Sequence, residues 1–130
     1  MDKTLKLKLK DFNKALLTLE EAVKKRKNKF IRDASIKRFE YCFELAWKTA
    51  KLFLLNNFGI NVFSPKECFR ELKKNKLISD VEAEKFLEMA DDRNEIIHTY
   101  NDKFAEELYQ KIIKKHYFLI RTLYHFLEKN

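Results

Sequence analysis

Apolar residues recur along this chain at three- and four-residue steps, in five successive stretches. From about Asp2 to Lys25, Leu5, Leu9, Phe12, Leu16, Leu19 and Val23 form one stripe, the mark of a helix with a single buried face. From about Ile31 to Phe58, Phe39, Phe43, Ala46, Trp47, Ala50 and Leu54 form a second stripe, which Ile36, Leu45, Leu52, Phe53 and Leu55 widen. So broad a face predicts a central helix, or one with partners on two sides. Gly59 is placed to take the left-handed turn that ends it. A short helix follows: Ser64 caps, Pro65 suits the first helical position, Glu67 completes a capping box, and the segment ends near Asn75. Ser79 and Glu82 repeat the box ahead of Val81, Phe86, Leu87, Met89 and Ala90, which carry a helix toward Ile97. The last stretch starts at Asn101 or Asp102, either of which can cap. It runs through Phe104, Leu108, Ile112, Lys115, Leu119, Leu123 and Phe126, with Ile113, Tyr117 and Ile120 broadening the face.

The pattern predicts an all-α fold: an up-and-down helical bundle of four long helices plus one short helix, in a single domain over residues 1–130. Composition narrows this further. One Gly and one Pro are too few for the tight turns of a sheet protein, and they leave no Gly-rich phosphate loop. The longest apolar run, Leu52–Leu55, is far too short to span a bilayer. The alternating Lys and Leu of the N-terminus lack the apolar core of a secretion signal, so a cytoplasmic location and no membrane are expected. Cys42 and Cys68 read as small core fillers. His98, His116 and His125 form no zinc spacing, and nothing in the sequence calls for a metal or another cofactor. His116 and His125 are expected near the bundle face, making ordinary hydrogen bonds.

Charge adds a partner class. Lys and Arg number 28 against 20 Asp and Glu, for a net charge of +8. The cations cluster at 24–29, at 73–76 and at Lys111, Lys114 and Lys115, while the acids gather from Asp80 to Asp92. Any single run reads as a solvated helix face, but the summed field favours an anionic partner such as RNA or an acidic protein.

One polar stretch interrupts the apolar periodicity: Asp91-Asp92-Arg93-Asn94-Glu95-Ile96-Ile97-His98-Thr99-Tyr100-Asn101. On a straight helix Arg93 and His98 point about 140° apart and lie ~7.5 Å apart along the axis, so they converge easily only where the helix distorts or ends. Thr99 to Asp102 is a plausible break. Arginine offers a planar fork of donors for phosphate, and histidine can take or give a proton near neutral pH. Together, without a metal cluster, they suit RNA cleavage by internal 2′-hydroxyl attack, which needs a base, an acid and a cation on the phosphate. One chain supplies one such histidine; a two-fold dimer would supply two. The bland alternative is a helix-end histidine beside an arginine paired to Asp91, Asp92 or Glu95.

Arg93-Asn94-x3-His98-x-Tyr100 resembles the R-x4-H-x-Y motif of HEPN-domain toxins, the partners of minimal nucleotidyltransferase (MNT) antitoxins. A second block agrees: Arg32-Asp33-Ala34-Ser35-Ile36-Lys37-Arg38-Phe39-Glu40-Tyr41, then Phe43-Glu44-Leu45-Ala46-Trp47-Lys48, is similar to the signature of the HEPN subgroup named nucleotidyltransferase substrate-binding proteins. Ser64-Pro65-Lys66-Glu67 and Asp92-Arg93-Asn94 match further positions of that subgroup, and the resemblance spans about residues 5–125. It implies a helical homodimer whose two motifs share a cleft, and metal-independent RNA cleavage with His98 in proton transfer and Arg93 on the phosphate. It also implies a cognate MNT nucleotidyltransferase that adenylylates Tyr100 and so silences the toxin. The older subgroup name implies an alternative, a non-catalytic subunit that presents substrate to a nucleotidyltransferase. Asn94 is a supporting residue of the motif. Glu40 and Glu44 share a face beside Phe39, Phe43 and Trp47; they could shape the cleft, but a structural or interface role is the favoured reading.

Overall fold

The computed structural model describes residues 2–130. Helix α1 (Lys3–Val23) buries Leu5, Leu9, Phe12, Leu16 and Leu19, as its stripe predicts. Helix α2 (Lys29–Phe58) opens on Asn28, whose side chain accepts from the Ile31 amide, and closes on Gly59 at φ 67°. It is the central helix: α1, α3 and the C-terminal helical rod all pack against it. Helix α3 (Pro65–Lys74) and helix α4 (Asp80–His98) form a hairpin that joins the bundle through α3. Cys42 and Cys68 are buried free thiols, and burial pushes both up to about 12.

The C-terminal rod differs from its predicted form. Helix α5 (Asp102–Lys111) passes into a π-helical turn over Ile112–His116 before helix α6 (Tyr117–Lys129) completes it. Ile112 and His116 of the wider turn are buried, as is Ile120 after it, while Lys115 and Leu119 of the expected stripe are only partly buried. A polar ring thereby enters the core. The His116 ring stacks on Phe39 at 5.5 Å, and Phe39, Phe43, Phe69 and Phe86 continue as an aromatic chain from α2 through α3 to α4. Phe69 and Phe86 lie face to face at 4.4 Å. This chain anchors α4, the helix that carries the polar stretch.

The caps follow the sequence closely. Ser79 and Glu82 form a reciprocal box. At α3 the Ser64 hydroxyl accepts from the Glu67 amide, but the Glu67 carboxylate reaches one residue further back, to the Phe63 amide. No helix among the described residues is long and apolar enough to cross a membrane.

Candidate functional site

Helix α4 gives out at His98, where the sequence expects a break. Thr99 ends it with φ −134°, its amide bonded to the Glu95 carbonyl at 2.9 Å and its hydroxyl to the Glu95 carboxylate at 2.7 Å. Asn101 caps α5 by accepting from the Phe104 amide at 2.8 Å. Tyr100 is therefore the one residue between the end cap of α4 and the start cap of α5. Its ring meets Phe104 edge-on, and its hydroxyl donates to Asp33 Oδ1 at 3.1 Å. Partial burial, and then that hydrogen bond, raises the Tyr100 phenol above the ordinary tyrosine range.

Arg93 turns toward α2. Its Nη2 meets Glu44 Oε1 at 3.4 Å, and its Nε is buried with no acceptor. So long a contact is weak, and it leaves Nη1 of the guanidinium without a protein partner among the described residues. Glu44 also receives Trp47 Nε1 at 3.3 Å and Lys48 Nζ at 3.6 Å. Glu40 pairs with Lys37 at 3.5 Å and does not reach Arg93. His98 is exposed at the last position of α4, and Asn94 is exposed on the same helix. Among the described residues no hydrogen bond or ion pair links Arg93, His98 and Tyr100 to one another, nor Arg93 to Asp91, Asp92 or Glu95. The three share one helix end, each pointing to its own surroundings.

Behind Asp33 stands a residue to which the sequence pattern gives no role. Arg32 is buried at the start of α2, with a side chain 5% exposed. Its Nε donates to Asp33 Oδ1 at 3.0 Å, Nη2 to Asp102 at 3.1 Å and Nη1 to Glu106 at 3.3 Å. Three carboxylates hold this guanidinium charged and raise it above the usual arginine range, the Asp33 bond most of all. The sequence carries no signal for this clamp, because acidic residues at a helix start such as Asp102 and Glu106 are favoured by the helix dipole whether or not a cation faces them.

A second polar cluster lies one residue from Arg93 and faces the other way. His116 is fully buried, with Nε2 2.7 Å from Asp92 Oδ2 and Nδ1 without a partner. Asp92 also accepts from Lys111 at 3.2 Å, and Lys115 pairs with Glu88. Burial pushes the Asp92 carboxyl upward, but the His116 and Lys111 hydrogen bonds outweigh it and hold it below the ordinary value. Part of the third basic cluster is thus neutralised by the acidic run it packs against. Glu88, Asp92 and His116 bring one ligand atom each within 4.8 Å, a donor set transition metals use, but both carboxylates already carry a lysine ammonium. The sequence offered only the Glu88-x3-Asp92 spacing as a hint of this cluster; the π turn that delivers His116 has no such sign. Nearer the start of α4, Lys85, Lys114, Lys115, Phe118, Leu119 and Thr122 line an open hollow of about 230 Å³.

The fold is an all-α helical bundle whose α4 end carries an arginine, a histidine and a tyrosine within eight residues. The chain belongs to the family described as nucleotidyltransferase substrate binding protein like, whose model matches residues 7–129. Among solved structures, a Thermus thermophilus protein is 34% identical with a TM-score of 0.83, over 89% of this chain and 98% of that one. A tri-AMPylated HEPN toxin of Shewanella oneidensis, in complex with MNT antitoxin, is 14% identical with a TM-score of 0.80, over the whole of both chains. A chain of the toxin–antitoxin pair MntA-HpeT is 14% identical with a TM-score of 0.80, over 99% of this chain and 100% of that one. These last two show the shared fold. None of the curated proteins matches the chain.

Proposed function

We propose that this chain is the HEPN partner of a minimal nucleotidyltransferase and a metal-independent endoribonuclease, silenced when Tyr100 is nucleotidylated. The observation that carries the reading is the α4 end itself: an exposed, unpartnered imidazole at the last helical residue, a weakly held guanidinium five residues before it, and a phenol two residues after it. In cleavage the 2′-oxygen of the RNA attacks the adjacent phosphorus, the 5′-oxygen leaves, and a 2′,3′-cyclic phosphate remains. One imidazole takes the 2′-proton and a second protonates the leaving oxygen. A two-fold homodimer supplies both His98 rings, while Arg93 meets the charge that builds on the phosphate. Glu44 then acts as the anion that Arg93 exchanges for phosphate, and Asn94 as a polar neighbour on the cleft side. Family membership and the fold shared with a HEPN toxin complexed with MNT antitoxin support the partner. The basic surplus supports an RNA substrate.

The purified chain is expected to cleave single-stranded RNA in the presence of EDTA, leaving cyclic phosphate ends, and to lose that activity in both Arg93→Ala and His98→Ala. Cleavage that survives in the double variant removes the site from the reaction. The second reading, a non-catalytic subunit that presents substrate, is favoured by one observation: among the described residues of the single chain, no hydrogen bond or ion pair joins Arg93 to His98. It requires a stable nucleotidyltransferase complex with no cleavage by the free protein.

A further inference from the structure

We infer that Asp33, clamped by Arg32, is the proton acceptor for nucleotidyl transfer onto the Tyr100 hydroxyl; this rests on the silencing reaction proposed above. The chain has five tyrosines, and their surroundings differ. Tyr109 and Tyr117 are each 3% exposed. The Tyr41 hydroxyl is shared with the Thr18 hydroxyl at 2.6 Å, and Tyr124 is half-buried edge-on to Phe12. Two phenols donate to carboxylates: Tyr117 to Glu20 at 2.6 Å and Tyr100 to Asp33 at 3.1 Å. Of these only Tyr100 is open to solvent, at 47% exposure. It alone combines access for a large co-substrate with a base already in hydrogen-bond reach.

A phenol is a poor nucleophile while it keeps its proton, and burial together with the Asp33 hydrogen bond holds this one above the ordinary tyrosine range. Spontaneous ionisation at neutral pH is therefore disfavoured, and the proton must leave as the new bond forms. The Tyr100 oxygen attacks the α-phosphorus of a nucleoside triphosphate held by the nucleotidyltransferase. The bond from that phosphorus to the bridging oxygen breaks, pyrophosphate leaves with the electron pair, and the phenolic proton passes to the Asp33 carboxylate.

Geometry fits a base held by a third group. Asp33 Oδ1 receives the Tyr100 hydroxyl and Arg32 Nε together. Arg32 cannot swing, because Asp102 and Glu106 at the start of α5 hold its other two nitrogens. The nucleophile, the base and the group that orients the base thus repeat the logic of an activated hydroxyl. Arg32 is a positioning residue; Asp33 touches the reacting oxygen. The product reinforces the block. Once the hydroxyl becomes a phosphodiester it has no hydrogen to donate and carries a negative charge, so it is driven off Asp33 and the Tyr100 tether to α2 is lost.

The test uses the full chain with its cognate nucleotidyltransferase, ATP and Mg²⁺, following the Tyr100 adduct by intact mass across pH 6 to about 9.5, a range that approaches the ordinary phenol pKa. Asp33→Asn keeps the size and can still accept the hydroxyl, but it cannot take the proton. At neutral pH it is expected to slow the initial rate about 10²-fold or more, with little change in KM. Its rate should climb about tenfold per pH unit toward the phenol's ionisation, whereas the wild-type rate stays nearly flat. A merely structural role would lower the rate equally at every pH. Asp33→Glu should recover part of the rate, and the absorbance titration of the Asp33→Asn phenol should shift to lower pH. An Asp33→Asn rate equal to wild type at neutral pH overturns the inference while leaving Tyr100 modification intact. A wild-type chain that never acquires the adduct overturns the silencing reaction and this inference together.

Discussion

Asp92 and Arg93 are neighbours in sequence, yet they belong to two polar regions built on opposite terms. Asp92 looks inward to His116 and Lys111, where a fully buried imidazole bridges α4 to the π turn. Arg93 turns to Glu44 of α2 through a contact of 3.4 Å, and His98, five residues on, is exposed and has no hydrogen bond or ion pair among the described residues. The inner region has all but one of its polar atoms engaged and ties helices together. The outer region leaves its chemistry available. A histidine is thus assigned by its surroundings: the one with the tightest hydrogen bond is the structural one.

The largest expected effect is a crossed pair of substitutions. His98→Ala should cost about 10²–10⁴-fold in RNA cleavage with no change in melting temperature, because the exposed ring contributes nothing to packing. His116→Ala should do the reverse. It removes a buried ring stacked on Phe39 and one of the two partners of Asp92. A loss of about 3 kcal/mol in denaturant unfolding follows, with a fall of about 10 °C in melting temperature and cleavage per folded molecule retained. Equal effects of the two changes on stability would erase the distinction between the regions.

A smaller effect follows from acid. The Asp92 carboxyl is held below its ordinary value, so its contribution to stability is fully present above the unfolded carboxyl range and is lost as pH falls through the depressed value. Asp92→Asn should destabilise the fold by about 2 kcal/mol at neutral pH, and the gap from wild type should shrink below about pH 4. Urea unfolding of both proteins at pH 7 and pH 3 reads the difference directly.

Much of this was legible in the sequence, and for physical reasons. Helix positions follow from apolar spacing, and helix ends from Ser64, Ser79, Asn101 and Gly59, whose side chains or backbone freedom act within four residues. The end of α4 at His98 was legible for the same reason. The π turn was not, because one extra residue in a turn alters the apolar repeat too little to show against the breadth of that face. His116 was accordingly expected near the bundle face, where the structure buries it. The pairing of Arg93 was not legible either. Asp91, Asp92 and Glu95 are nearer in sequence, but Arg93 projects toward α2, and only the helix packing makes Glu44 its neighbour. The Arg32 clamp shares that limit, since its three carboxylates lie at residues 33, 102 and 106.

The smallest expected effect sharpens the outer region alone. If Glu44 is the anion that Arg93 gives up to phosphate, Glu44→Gln removes a competitor for the guanidinium while keeping the side-chain shape. Stability should stay within about 0.5 kcal/mol, because the pair is a long ion contact at 3.4 Å between side chains that both still reach solvent. RNA should bind a few-fold more tightly, with the gain largest at low salt and fading as the ionic strength rises. A Glu44 that instead aims Arg93 at the reacting phosphate gives the opposite sign, a lower kcat at unchanged KM. The direction of this one change therefore separates an exchangeable counter-charge from a positioning residue, and it does so without disturbing the buried cluster on the far face of α4.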